Sequence, residues 1–284
     1  MFNMTNELVE VLKNLGHSVI IAPVYKGGVE YTGVSFDIGS SNVRPTIYVE
    51  SYDTNNVFEL AKQMVNTING LKNEIEVPNV SNVLNWQQAK ERLRVCIEPR
   101  TNEDVIKRDF LDLQMFARII VAEDENGTQS AKVTPSLLKA WNITEDELFI
   151  KAKENTEKEI QVGNMLDILF GNGMKTSIDE FKPIVDKDDI TMFVFTNNSG
   201  INGAGGIACK TALKKLSDKF GSGFYILPSS IHELLIIPVD TNDHNARASF
   251  TKMVQEVNAG EVKPEEILSN HCYYYNRVTE EIEL

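Results

Sequence analysis

Residues 19–52 decide how the fold is read. Val19 to Val24 and Tyr31 to Ile38 are apolar-rich runs separated by Lys26-Gly27-Gly28, and a third run, Thr46 to Tyr52, follows Gly39-Ser40-Ser41-Asn42. Glycine and asparagine reach the positive φ values that tight hairpin turns demand, so the stretch predicts three strands of an antiparallel meander. Upstream, residues 4–15 place Leu8, Val11, Leu12 and Leu15 at helical spacing, between Thr5 as N-cap and Gly16 as C-terminal stop. Downstream, Val57, Leu60, Ala61, Met64, Val65, Ile68 and Leu71 restore the same period. Residues 1–75 therefore read as an α-β-β-β-α unit.

The stretch Asn73 to Val80, with Pro78, serves either as a linker or as an ordinary surface loop. Beyond it a helix is expected near Val83 to Leu93 and a strand near Arg94 to Ile97. Phe110 to Ala122 leads into Glu123-Asp124-Glu125-Asn126-Gly127, a hairpin signal, with Gln129 to Thr134 as the return strand. Pro135 opens a short helix that stops near Asn142, and Thr144 with Glu147 forms a capping box for the next, running to about Asn155. Residues 156–189 are the least regular. Thr191 to Thr196 reads as a buried strand, Asn197 to Gly206 as a loop and Ile207 to Phe220 as a helix. Two strands follow, Phe224 to Leu227 and Glu233 to Val239, then a helix capped by Asn242 or Asp243, and a last helix from Pro264. The fold class is α+β, with a larger mixed unit over 81–284; whether the two units pack as one domain stays open.

Composition narrows the function. The chain has 284 residues, 42% hydrophobic and 24% charged, enough to bury a substantial core. No apolar run approaches the ~18–20 residues of a membrane span, and the N-terminus lacks a basic stretch followed by an apolar block, so a cytoplasmic location is expected. A formal charge of −13 disfavours phosphate backbones as partners, and no basic face stands out. Cys96, Cys209 and Cys272 form no Cys-x-x-Cys pair and read as free buried thiols. His17, His232, His244 and His271 show no ligand spacing, so neither a metal nor a cofactor is expected.

A wider pattern is carried by Phe224-Tyr225-Ile226-Leu227-Pro228-Ser229-Ser230-Ile231-His232-Glu233, by Pro45-Thr46-Ile47-Tyr48, by Phe110-Leu111-Asp112-Leu113, by the Trp141 to Asn155 helix pair and by Tyr273-Tyr274-Tyr275. Over nearly the whole chain it resembles a bacterial domain-of-unknown-function family. The resemblance implies an intracellular bacterial protein and carries over no activity. That family often has glycine where Asn142 stands and aspartate where Asn270 stands.

Two places draw attention as sites. Asn197 to Gly206 lies between a strand and a helix, where backbone amides of Asn202, Gly203, Gly205 and Gly206 could cradle an anion, with Ser229 nearby. Neither the Walker nor the Rossmann glycine pattern is met, and glycines set by turn geometry are the plainer explanation. Ser229, Ser230, His232 and Glu233 place hydroxyls, an imidazole and a carboxylate at a strand end. Ser230, His232 and Glu233 would supply a nucleophile, its base and an acid, but without a nucleophile elbow; the alternative is that the serines satisfy turn amides and His232 makes a buried hydrogen bond. The sequence thus leads to a non-enzymatic binding or protein-interaction protein with an unknown protein or small-molecule partner, and alternatively to a hydrolase using Ser230 and His232.

Overall fold

The structure is a computed structural model that describes residues 2–39, 44–71, 81–124, 127–171, 174–186 and 190–284. The chain divides into two compact units, Met1–Asn79 and Val80–Leu284. The expected linker at 73–80 lies outside the described residues.

In the first unit, α1 (Phe2–Asn14) precedes β1 (Val19–Lys26), β2 (Val29–Phe36) and β3 (Thr46–Tyr48), and α2 (Val57–Leu71) closes it. The three strands are antiparallel in the order β1-β2-β3, the expected meander. Gly27 and Gly28 both take positive φ, which is why this turn uses glycine twice. The third strand is shorter than expected because Val49–Ser51 turn into a 3-10 helix. Leu8 and Leu12 of α1 and Leu60, Ala61, Met64 and Ile68 of α2 close over Val34 and Phe36. One apolar stripe per helix therefore suffices to build this core.

The second unit holds two sheets. After α3 (Ser81–Leu84) and α4 (Trp86–Ala89), β4 (Leu93–Pro99), β5 (Lys107–Phe110), β6 (Leu113–Asp124) and β7 (Gly127–Lys132) form a four-stranded sheet. The single helix expected over 83–93 is broken because Asn85 accepts from the Gln87 amide and starts α4 afresh. The long run from Phe110 is likewise divided, since Leu111 turns left-handed at φ 54° between β5 and β6. Then come α5 (Pro135–Trp141) and α6 (Glu145–Glu159). Asn142 ends α5 at φ 55°, a conformation that glycine also suits, and the Thr144–Glu147 capping box is present.

The second sheet is antiparallel throughout and lies partly in the region that read as irregular. β8 (Ile160–Asn164), α7 (Met165–Leu169) and β9 (Thr176–Ser177) precede β10 (Phe193–Asn197). Next are α8 (Lys210–Phe220), β11 (Gly223–Pro228), β12 (Leu234–Val239), α9 (His244–Gly260), β13 (Tyr273–Asn276) and β14 (Glu281–Glu283), in the sheet order β14-β13-β11-β12-β10-β8-β9. The expected helix at Ile207 begins three residues later as α8, because Gly203–Ala208 form a 3-10 helix. The helix expected from Pro264 is a single 3-10 turn, Pro264–Glu266.

Alternation along β11 and β12 separates two cores. Phe224, Ile226, Leu234 and Ile236 join Leu213 and Leu216 of α8, Leu148 and Phe149 of α6 and the apolar face of the four-stranded sheet. Tyr225, Leu227 and Ile237 face the other way, toward Val254 and Phe250 of α9. Fully burying a side chain of this size contributes roughly 1.5–3 kcal/mol. The three tyrosines at 273–275 are buried, Tyr273 and Tyr275 on the α8 side of β13 and Tyr274 on the α9 side.

The 3-10 helix Gly203–Ala208 is wholly buried, and its glycines are set by contact rather than by φ. A Cβ at Gly205 would stand 2.2 Å from the Val95 carbonyl oxygen, at Gly203 2.6 Å from the His232 carbonyl oxygen, and at Gly206 2.7 Å from the Phe195 ring. Gly205→Ala is therefore expected to destabilise the protein by about 3 kcal/mol, the upper end for overpacking a core. Gly260→Ala meets nothing within 4 Å and should stay within about 1 kcal/mol of the parent. Urea denaturation of the two variants separates these outcomes.

Candidate functional site

The residues singled out by sequence come together at one end of the seven-stranded sheet. The β11–β12 connection, 229–233, and the β10–α8 connection, 198–209, are neighbours there. Asn202, at φ 55°, donates its backbone N–H to His232 Nδ1 at 3.1 Å, and Thr196 Oγ1 donates to the His232 carbonyl at 2.8 Å. The Ala204 amide donates to the Ile231 carbonyl and the Ile231 amide to the Glu266 carbonyl. Sequence alone placed these segments at strand ends; their pairing is what the fold adds.

Their hydrogen bonds decide what the arrangement can do. Ser230 Oγ accepts from the His232 backbone amide at 3.0 Å, a local turn bond. Ser229 Oγ donates to Glu233 Oε1 at 3.4 Å. Among the described residues no bond joins Ser230 Oγ to the imidazole, whose Nδ1 is taken by Asn202. Nucleophilic catalysis requires that bond, or an approach to it on substrate binding. The amides of Gly205 and Cys209 close the 3-10 turn on the Asn202 and Gly206 carbonyls. With Asn202 donating to it, His232 Nδ1 carries the lone pair and Nε2 the proton, so nitrogen-15 NMR is expected to show the Nε2–H form in the neutral ring. A proton on Nδ1 would mean that the Asn202 contact does not form.

A second cluster was missed by the sequence reading. Asp112, in the turn after Leu111, accepts from Tyr273 OH at 2.6 Å through Oδ1, and from Ser269 Oγ at 2.9 Å through Oδ2. His271 Nδ1 lies 3.0 Å from the same Oδ2. The Leu111 carbonyl accepts from Arg100, which holds the left-handed turn. The only signal in the sequence was that Asp112 and the tyrosine run both belong to the recurring pattern; their partnership spans most of the unit. Burial alone would raise the Asp112 carboxyl, but Tyr273, His271 and Ser269 together hold it below the ordinary aspartate range. Burial is the largest influence on Tyr273 and, with the adjacent carboxylate, pushes its phenol far up.

A third feature is a groove of about 720 Å³ on the α9 side of the sheet, floored by Tyr225, Ile237, Pro238 and Val239 and flanked by Phe220 and Phe250. Thr191, Ser222, Asp186 and Asp240 add its polar atoms, and among its described lining residues there is no lysine or arginine. A groove of this size was not legible, because it depends on α9 covering only part of a strand face that is apolar throughout. Elsewhere the three thiols are free and buried, and burial pushes each up to about 12. Among the described residues no set of three His, Cys, Asp or Glu side chains gathers as metal ligands, and no helix is long and apolar enough to cross a membrane.

The lowered Asp112 pKa gives a sign for acid stability. A carboxylate with a depressed folded pKa stabilises the fold above its unfolded value, and that contribution is lost as pH falls through the folded value. Asp112→Asn is expected to cost about 1.5–3 kcal/mol at neutral pH, as for hydrogen bonds to a charged group, and to flatten the acid limb of melting temperature against pH. An unchanged acid limb would show that the three donors do not hold the carboxylate.

No curated protein and no solved structure matches the chain. A family model does, over residues 3–277. The chain belongs to DUF5688, a family of unknown function.

Proposed function

We propose that the protein is a binding protein whose groove beside α9 takes a small molecule with an apolar body and a positively charged end. The single observation behind this is the groove itself: its volume of about 720 Å³ falls within the roughly 300–1,000 Å³ of small-molecule sites, which are apolar with a few placed polar groups. Charge complementarity sets the sign of the ligand. Asp240 supplies a carboxylate to the lining, no described lining residue is basic, and the whole chain carries −13. An alkyl or aromatic amine meets those conditions and a fatty acid does not. The bonds of Ser230 and His232 to backbone groups weigh for binding over hydrolysis.

Calorimetric titration with octylamine and with octanoate tests the proposal. The amine is expected to bind and the carboxylate to fail, with Asp240→Asn weakening the amine about tenfold, the loss of one favourable charge contact. Equal binding of both chains, or no binding of either, overturns it.

A protein partner is a second reading, favoured by one observation. Leu166, Leu169, Phe170 and Met174, on and just after α7, are all more than half exposed, and runs of exposed apolar side chains mark contact surfaces. If Leu169→Glu with Phe170→Glu abolishes a concentration-dependent self-association in sedimentation while leaving groove binding intact, this surface serves a second copy of the chain; a monomer at all concentrations removes that occupant.

A further inference from the structure

Three basic residues stand in one row across the four-stranded sheet. In the registers of β4, β6 and β7, Arg94 is directly opposite Arg118, and Arg118 directly opposite Lys132. Like charges facing each other across strands are destabilising unless something negative separates or neutralises them. The outer two are neutralised. Arg94 makes a two-pronged ion pair with Glu159 through Nε and Nη2, and Lys132 donates to Glu98 at 2.7 Å and to Glu103 at 2.6 Å. The middle one is treated differently. Arg118 Nε donates to Ser130 Oγ at 2.9 Å, and its ion pair with Glu98 Oε1 is a looser one at 3.9 Å, beyond hydrogen-bond range, while the other Glu98 oxygen takes Lys132.

Arg118 lines a small cleft whose other wall is the loop that sequence analysis singled out. Asn197, Ser199 and Asn202 face Arg118 and Ser130 across it, and Arg94 with Glu159 closes one side. The loop is braced from within: Asn197 Nδ2 donates to the Ile201 carbonyl, Ser199 Oγ to Asn197 Oδ1, and the Ile201 amide to Ser199 Oγ. The charged lining residues are two arginines and one glutamate, a net positive charge in a chain that is acidic overall. The cleft measures about 40 Å³, room for about three water-sized groups. A tetrahedral oxyanion would seat three of its four oxygens there with the fourth toward solvent, and a nucleotide is far too large.

We propose that the cleft between Arg118 and the Asn197–Asn202 loop is a binding site for a tetrahedral oxyanion, phosphate or sulfate, held by the Arg118 guanidinium, the Ser130 hydroxyl and the Asn202 side-chain amide, with Ser199 bracing the loop that presents Asn202. Glu98 balances the charge of Arg118 from 3.9 Å without a hydrogen bond, and the anion would give the guanidinium hydrogen-bonded acceptors on its cleft side. Guanidinium groups match such anions with paired N–H donors, and the partly buried setting strengthens the contact over one in open water. Glu159 also faces the cleft, but both its oxygens are committed to Arg94. The site is independent of the α9 groove, which calls for the opposite ligand charge.

The test is a titration of the full chain with inorganic phosphate and with sulfate, against sodium chloride of equal ionic strength, followed by melting temperature and by amide NMR shifts. Phosphate is expected to raise the melting temperature above the chloride control and to shift Ser130 and Asn202 first. Arg118→Gln is expected to weaken binding about tenfold, the loss of a charge-assisted contact, and Ser199→Ala, on the facing loop, to weaken it less. Arg100→Gln, outside the cleft, should leave it unchanged. Should Arg118→Gln fail to fold, the shift pattern and Ser199→Ala carry the test. A sugar phosphate distinguishes the source: weaker binding than inorganic phosphate indicates a free ion, whereas tighter binding indicates the phosphate group of a larger molecule and overturns the size argument. Phosphate indistinguishable from chloride overturns the proposal.

Discussion

The organisation of the second unit rests on one close approach, the packing of the 3-10 helix Gly203–Ala208 against the β4 backbone. At Gly205 there is no room for a single methyl group between this helix and the Val95 carbonyl. The same six residues press Gly206 on Phe195 and Gly203 on the His232 backbone, so one short element fixes the four-stranded sheet, the β10 end and the β11–β12 turn together. That packing sets the stagger of the Asn197–Asn202 loop, and with it the width of the cleft in front of Arg118. Close packing of this kind transmits a displacement instead of absorbing it.

How much of this was legible in the sequence varies with the range of the interactions. The N-terminal unit could be read in its element order, with β3 cut short by a 3-10 helix, because its determinants are local: a Gly-Gly turn, two apolar stripes and a glycine helix stop at Gly16. The Thr144–Glu147 capping box and the Asn142 stop were readable for the same reason. β8 was not, since Ile160 to Asn164 is a strand through its partners β10 and β9, Val194 opposite Gly163, Phe195 opposite Val162 and Ser177 opposite Gln161. The glycines of 203–206 were noticed and associated with turn geometry and anion binding, whereas the fold uses them for proximity, which no pattern within ten residues can reveal. At the site, the juxtaposition of Asn202 with His232 and of Asp112 with Tyr273 depends on strands that meet only after folding.

The electrostatics of the second unit are organised by strand register rather than by sequence neighbours. Arg94, Arg118 and Lys132 are far apart along the chain but share one row, and their acidic partners come from three further places. Burial pushes the Glu98 carboxyl up, and the Lys132 ammonium works against that. Glu98 is the shared member, so removing it takes a carboxylate from two cations, Arg118 and Lys132, rather than one. An overall charge of −13 therefore coexists with a charge-balanced strip whose cleft-facing part, Arg94, Arg118 and Glu159, is net positive, and the sign of a ligand is set by place on the surface and not by the chain average.

The Asp112 cluster has a kinetic meaning. Its bond to Tyr273 joins residues 161 apart in sequence, closing a loop whose entropy must be lost before the contact returns anything. Contacts of such range form more slowly than local ones such as the β5–β6 hairpin beside Asp112. The bond is thus a latch set late in folding. It acts on how long the native state lasts far more than on how fast it is reached.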